Sequence, residues 1–156
     1  MKRILLASLA AGILAASATN AFGLTEFKKE FKTKYLDTHK DDAYTKLATK
    51  ESCNVCHIKK KPKKVANLNE YGKQLAKLVE GDANQRIKDA RKKDGTEGAN
   101  AEKAKLVQEV QKAFDEVAKM KSEAGDTFGD RIKNGLLPSS TDTPKDDGKE
   151  DKAPEA

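Results

Sequence analysis

From Leu24 onward the apolar residues recur at helical rather than strand spacing. Phe27, Phe31 and Tyr35 fall at every fourth position between residues 24 and 36, which places three aromatic rings on one helix face. Asp41 and Asp42, followed by Tyr44 and Leu47 with Ala43 and Ala48 beside them, predict a second, shorter helix that starts on acidic residues and runs into Cys53. Beyond a lysine-rich loop, Asn69 is placed to cap a third helix carrying Tyr71, Leu75, Leu78 and Val79 and stopped near Gly81. Residues 82–93 restart a helix around Ala83, Ile87 and Ala90, and the two glycines within 94–100 read as a loop. The longest periodic run, 101–124, sets Leu106, Val110, Ala113, Val117 and Met120 on one face beside Phe114, with Gly125 to end it. A last short helix follows Phe128 and Gly129 through Ile132, ahead of Leu136, Leu137 and Pro138. No run sustains strand alternation, so the expected fold class is all-α.

The two ends of the chain follow different rules. Residues 1–23 read as an export signal: Lys2 and Arg3 precede an apolar run from Ile4 to Ala16, and small residues place cleavage after Ala18 or after Ala21. Exported protein, periplasmic or otherwise outside the cytoplasm, is therefore expected, in a compartment where two free thiols would be unusual. Residues 138–156 hold three prolines, three lysines and six acids but almost no apolar side chain. Such a segment cannot offset its ordering entropy by burial, and it reads as a disordered acidic tail. The helical domain is thus assigned to residues 24–137.

Composition makes this domain look short of core. Hydrophobic residues are 37% of the 156, charged residues 36% and aromatics 5%, with no Trp, which argues against a large sandwich or a doubly wound sheet. No mature stretch approaches the roughly 18 apolar residues of a membrane span. Loss of Lys2 and Arg3 with the signal leaves a net charge of +4, and since the tail carries −3 the body carries +7. A small domain with so little apolar volume needs a disulfide, a metal, a cofactor or a partner copy.

Cys53-Asn54-Val55-Cys56-His57 supplies the chemistry. Two thiols three residues apart, followed at once by an imidazole, form the attachment pattern of c-type haem: Cys53 and Cys56 tether the porphyrin through its vinyl groups, and His57 gives the iron its proximal nitrogen. Three other readings compete. A Cys53–Cys56 disulfide closes a tiny loop and removes little unfolded-state entropy. A thioredoxin-like redox pair expects a βαβ setting, which the periodicity lacks. Zinc would have to recruit His39, Cys53, Cys56 and the adjacent His57 without the usual ligand spacings. Haem explains more, because a buried porphyrin also supplies the missing apolar bulk.

With the signal segment, Cys53-x-x-Cys56-His57 resembles a secreted bacterial c-type cytochrome. The order of an aromatic helix, the haem motif, a lysine-rich loop, Tyr71-Gly72, a later long helix, and Phe128-Gly129 ending in Leu136-Leu137-Pro138 is similar to small monohaem members over residues 24–138. The motif stands well into the mature chain rather than near its start. The resemblance implies a small cytochrome c-like helical domain packed around one covalent haem c, carrying single electrons between redox partners.

The sixth iron ligand separates that function from its alternative, a five-coordinate haem protein that binds a gas or peroxide. Met120 is the first candidate, although a Met on that apolar face is as often core filler. His39, among Thr38, Lys40, Asp41 and Asp42, is the second, with a solvated role the plainer reading. Lys59, Lys60, Lys61, Lys63 and Lys64 around Pro62 form either a solvated face or a positive rim that steers acidic redox proteins toward the haem. Nucleic acid is not an expected partner, since no recognition module accompanies the lysines. A carbonyl at Pro62 is placed to orient His57, and Tyr71 either reaches a haem propionate or packs in the core. With His57 ligated, only His39 is left for acid–base work, so the chain does not read as an enzyme.

Overall fold

A computed structural model describes residues 25–140; residues 1–24, with the segment expected to be an export signal, and residues 141–156 of the expected tail lie outside the described residues. Five α-helices account for most of the described chain, with two isolated bridges and no strand among the described residues. None of the described helices is long and apolar enough to cross a membrane.

Helix α1 (Thr25–Phe31) continues through a wider π turn (Lys32–Leu36), and this pair carries the aromatic face read from the spacing. Phe27, Phe31 and Leu36 are buried, and the Tyr35 hydroxyl donates to the Phe114 carbonyl at 3.0 Å. Helix α2 (Asp42–Glu51) starts where Asp41 accepts hydrogen bonds from the amides of Ala43 and Tyr44. It buries Tyr44 and Ala48, while Leu47, expected on the same face, is 40% exposed. Helix α3 (Glu70–Leu78) is capped by Asn69 and buries Tyr71 and Leu75, leaving Leu78 outside the core.

Helix α4 (Ala83–Ala118) differs most from expectation. Residues 94–100 are not a loop. The helical pattern breaks only at Asp94 and Gly95, where Gly95 takes φ 65°, a conformation cheap only for glycine. An unbroken helix would hold Arg86 and Glu109 about 35 Å apart, yet their side chains meet at 2.7 Å, so the two arms fold back as a helical hairpin. Gly98 lies inside the second arm, and a Cβ there would stand 2.6 Å from the Ala90 carbonyl oxygen. One glycine makes the turn and the other lets the arms close, which is why their clustering resembled a loop.

The second arm also ends earlier than expected, at Ala118 rather than Ala124. Its apolar period stops there, and the backbone is captured by a tight turn in which Ser122 N–H donates to Asp126 and Gly125 N–H to Ser122. Helix α5 (Phe128–Lys133), capped by the Thr127 hydroxyl, then packs Gly129 on the Ala118 carbonyl. The core gathers Phe31, Tyr71, Leu75, Leu106, Val110, Phe114, Val117, Phe128 and Ile132 between α1, α3, both arms of α4, and α5.

Pro138–Ser140 belong to this body rather than to the tail. Pro138 is buried, Ser139 Oγ accepts the Tyr71 amide at 3.0 Å, and the Ser140 hydroxyl accepts from Arg131 at 2.9 Å. Arg131 is itself fully buried and pairs with Asp126 at 3.1 Å.

Candidate functional site

The Cys53–His57 segment leaves α2 through an abrupt bend. Ser52 holds φ 51° and ψ −113°, a backbone region costly for any residue with a Cβ. A 3₁₀ turn (Ser52–Val55) follows, closed by the Cys56 and His57 amides donating to the Cys53 carbonyl at 3.3 and 3.0 Å. Glu51 braces the turn, accepting from the Asn54 amide at 3.1 Å and from Lys59 at 2.6 Å. The Lys59 bond first, and the Asn54 bond next, hold its carboxyl below the usual carboxylate range.

The start of α3 clamps the motif from the other side. The Asn69 side chain donates to the carbonyls of Asn54 (3.2 Å) and Val55 (2.9 Å) and accepts the Gly72 amide at 2.9 Å, while the Asn69 backbone N–H donates to the Cys56 carbonyl at 3.0 Å. A Cβ on Gly72 would fall 2.1 Å from that same carbonyl oxygen, so α3 rests directly on the motif backbone. His57 bridges to Leu68, and the Ile58 amide donates to Asn67. The sequence revealed Asn69 only as a cap and Gly72 only as part of a Tyr-Gly pair; nothing local in it marks either residue as a clamp on a segment sixteen positions earlier.

Cys53, Cys56 and His57 line one apolar cleft together with Phe27, Phe31 and Leu36 of the α1 segment, Ala48 and Thr49 of α2, and Val55. His57 is buried and Cys53 exposed; the two thiols are not joined. Burial, and secondarily the neighbouring Cys53, pushes the Cys56 thiol up to about 12. The thiol pair lies among helices with no strand among the described residues, so the βαβ setting of a thioredoxin-like pair is missing. Among the described residues no three His, Cys, Asp or Glu side chains converge as a cage for a metal ion, which leaves the zinc reading without geometric support.

The residues fit a covalently tethered haem in kind: two unjoined thiols and an imidazole on one wall, apolar and aromatic side chains on the others. The cleft encloses about 90 Å³, below the roughly 300 Å³ at which pockets begin to hold whole organic ligands. The donor set and the apolar lining thus match the group, while the enclosed volume is smaller than a whole porphyrin needs.

Neither expected sixth ligand lines this cleft. Met120 follows α4 in the loop toward α5, its backbone fixed between the Val117 carbonyl and the Phe128 amide and its side chain packed against the core. His39 lines a separate cleft with Lys34, Ala118, Ile132 and Lys133. Tyr71 takes the core position, edge-on to Phe128 at 5.3 Å and to Phe31 at 6.3 Å. The Pro62 carbonyl accepts the Lys64 amide and the Asn67 side chain, an arrangement that closes the lysine loop. Of the five lysines, Lys59 pairs with Glu51 and Lys63 is bound to Asn54 Oδ1 and the Ile58 carbonyl, whereas Lys60, Lys61 and Lys64 are exposed beside the motif.

No protein-family model, curated protein or solved structure matches the chain.

Proposed function

We propose that this chain is an exported monohaem c-type cytochrome that carries single electrons between acidic redox proteins, its haem tethered through Cys53 and Cys56 and ligated by His57. The observation that carries the reading is the convergence of these three side chains on one cleft walled by Phe27, Phe31 and Leu36. Attachment adds each thiol S–H across a vinyl group, sulfur to one carbon and hydrogen to the other, so no oxidant is consumed. Once bound, the haem supplies one-electron chemistry at its iron. The chain itself does the rest: Asn69 and Gly72 fix the motif backbone, the α1 aromatics exclude water, and Lys60, Lys61 and Lys64 give a positive rim that raises encounter rates with acidic partners and weakens as salt rises.

The test is expression of the full chain in a host that exports it and attaches haem, followed by a pyridine haemochrome spectrum. One haem per chain that resists acid–acetone extraction, and is lost when both Cys53 and Cys56 are changed to Ala, is expected. Colourless protein with both sulfurs recovered as thiol or cystine would overturn the reading.

A further inference from the structure

We infer that the lysine loop is an interaction surface for the chain's own acidic segment, residues 142–151, which docks there and competes with acidic partners for the same cations. The inference rests on the proposed function only in naming this rim a partner-docking face; the contact itself requires no haem. Three observations carry it: where the described body ends, which cations lack an acid, and how the remaining charge is spread along the chain.

The body ends at a fixed point beside the loop. Buried Arg131 donates to the Ser140 carbonyl at 2.5 Å and to its hydroxyl at 2.9 Å, and Ser139 Oγ accepts the Tyr71 amide at 3.0 Å. Ser139 and Ser140 line one groove with Asn54, Ile58 and Lys59. The residues that follow therefore start next to the lysines. Asp142 stands two positions beyond Ser140, and Asp146 and Asp147 stand six and seven beyond it. At about 3.5 Å per extended residue they reach roughly 7 Å and roughly 20 to 25 Å, enough to span the loop.

The loop lacks counter-charge. Between Glu51 and Glu70 the sequence holds five lysines and no acid. Glu51 takes Lys59, and Lys63 is bound to the Asn54 side-chain oxygen and the Ile58 carbonyl, both neutral. Lys60, Lys61 and Lys64 are exposed and have no acidic partner among the described residues. Lys60 takes φ 65°, and the Lys61 and Lys64 amides donate back to the Ile58 and Pro62 carbonyls, so a tight turn holds these like charges close together. The second cleft is different: its Lys34, Lys119 and Lys133 each face a carboxylate, of Asp115, Glu116 and Asp130.

The tail supplies what the loop lacks. Residues 141–151 hold five acids and two lysines, so the whole charge of −3 falls in the part within reach. Each exposed ion pair is weak, but tethering presents the acids at an effective concentration on the order of millimolar. Docking of this kind fades as salt shortens the range of the charges. A tail that occupies the rim about two-thirds of the time weakens a competing acidic partner about threefold, so the rim selects for partners more strongly acidic than the tail.

The experiment uses the mature full-length chain at low ionic strength. A carbodiimide joins a carboxylate to a neighbouring lysine amine as an amide, and an equal mixture of unlabelled and isotope-labelled protein separates links within a chain from links between chains. Mass spectrometry should find links within one chain from Asp142, Asp146 or Asp147 to Lys60, Lys61 or Lys64, in excess of links to the exposed Lys88 and Lys93 of α4 and lost in high salt. In parallel, a fluorescent oligoglutamate peptide is titrated against the parent and against a full-length variant with Asp142→Asn, Asp146→Asn, Asp147→Asn, Glu150→Gln and Asp151→Asn. The variant should bind the peptide about threefold more tightly, and adding Lys60→Gln, Lys61→Gln and Lys64→Gln to both proteins should abolish the difference. Links spread evenly over all lysines, links only between chains, or a peptide affinity unchanged by the tail substitutions would overturn this inference and leave the haem reading standing. Absence of covalent haem in the haemochrome assay would overturn the haem reading and leave the tail contact standing.

Discussion

Ser52 concentrates the local cost of the site. Its φ of 51° with ψ −113° lies where a side chain is strained, yet this bend is what turns the chain from α2 into the motif. Replacing Ser52 by Gly should raise stability by about 1 kcal/mol, measured by urea denaturation; a loss of stability would show that the Ser52 side chain is needed. The two thiols one and four residues later differ in environment. Cys53 is exposed, whereas burial pushes Cys56 up to about 12. In haem-free folded protein at pH 8, iodoacetamide should therefore label Cys53 at least tenfold faster than Cys56, as mass spectrometry of the peptides would show. Equal rates would contradict the difference in exposure between Cys53 and the partly buried Cys56.

At the scale of elements, the site is a contact between α3 and a turn. Both depend on the missing Cβ of Gly72, which lets the helix lie on the Cys56 carbonyl. Gly72→Ala places a methyl group 2.1 Å from that oxygen, a backbone atom that cannot swing aside as the Leu68 side chain at 2.9 Å can. The expected loss is about 3 kcal/mol or more, read by denaturant unfolding; a variant as stable as the parent would mean that α3 does not rest on the motif. Asn69 was legible as a cap and Asp41 as an acidic start because capping is local chemistry; Asp82 and Thr127, not singled out from the sequence, accept first-turn amides in the same way. The α4 hairpin was not legible. Gly95 and Gly98 look alike in sequence, and only the fold-back of one arm on the other assigns one to the turn and one to the packing surface.

Across the whole molecule, ionic ties hold the two arms of α4 against each other. Arg86 joins the two arms of α4, meeting Glu102 at 2.6 Å and Glu109 at 2.7 Å. Its hydrogen bonds, ahead of a smaller opposing effect of burial, hold the Glu109 carboxyl below its usual range. A carboxyl lowered by folding stabilises the protein above its ordinary pKa and loses that contribution as pH falls through the lowered value. Glu109→Gln should accordingly cost about 1 kcal/mol at pH 7, and the gap between variant and parent should close as the pH drops below the carboxylate range. Thermal melts across pH 7 to 3 would show it; a gap that persists in acid would assign the effect to packing rather than charge.

The sequence alone determined the all-α class, the helix starts and the one cluster of reactive side chains, because each depends on residues within a few positions of one another: helical periodicity, a polar cap, a Cys-x-x-Cys-His run. Tertiary structure decided what depends on distant segments meeting. It moved Leu47 and Leu78 out of the core, turned an expected loop into a hairpin and brought Pro138–Ser140 into the body. It also placed Asn69 and Gly72 on the motif and set Met120 and His39 away from its cleft. Periodicity reports that a side chain is buried, but the partner against which it is buried is fixed only when the helices pack.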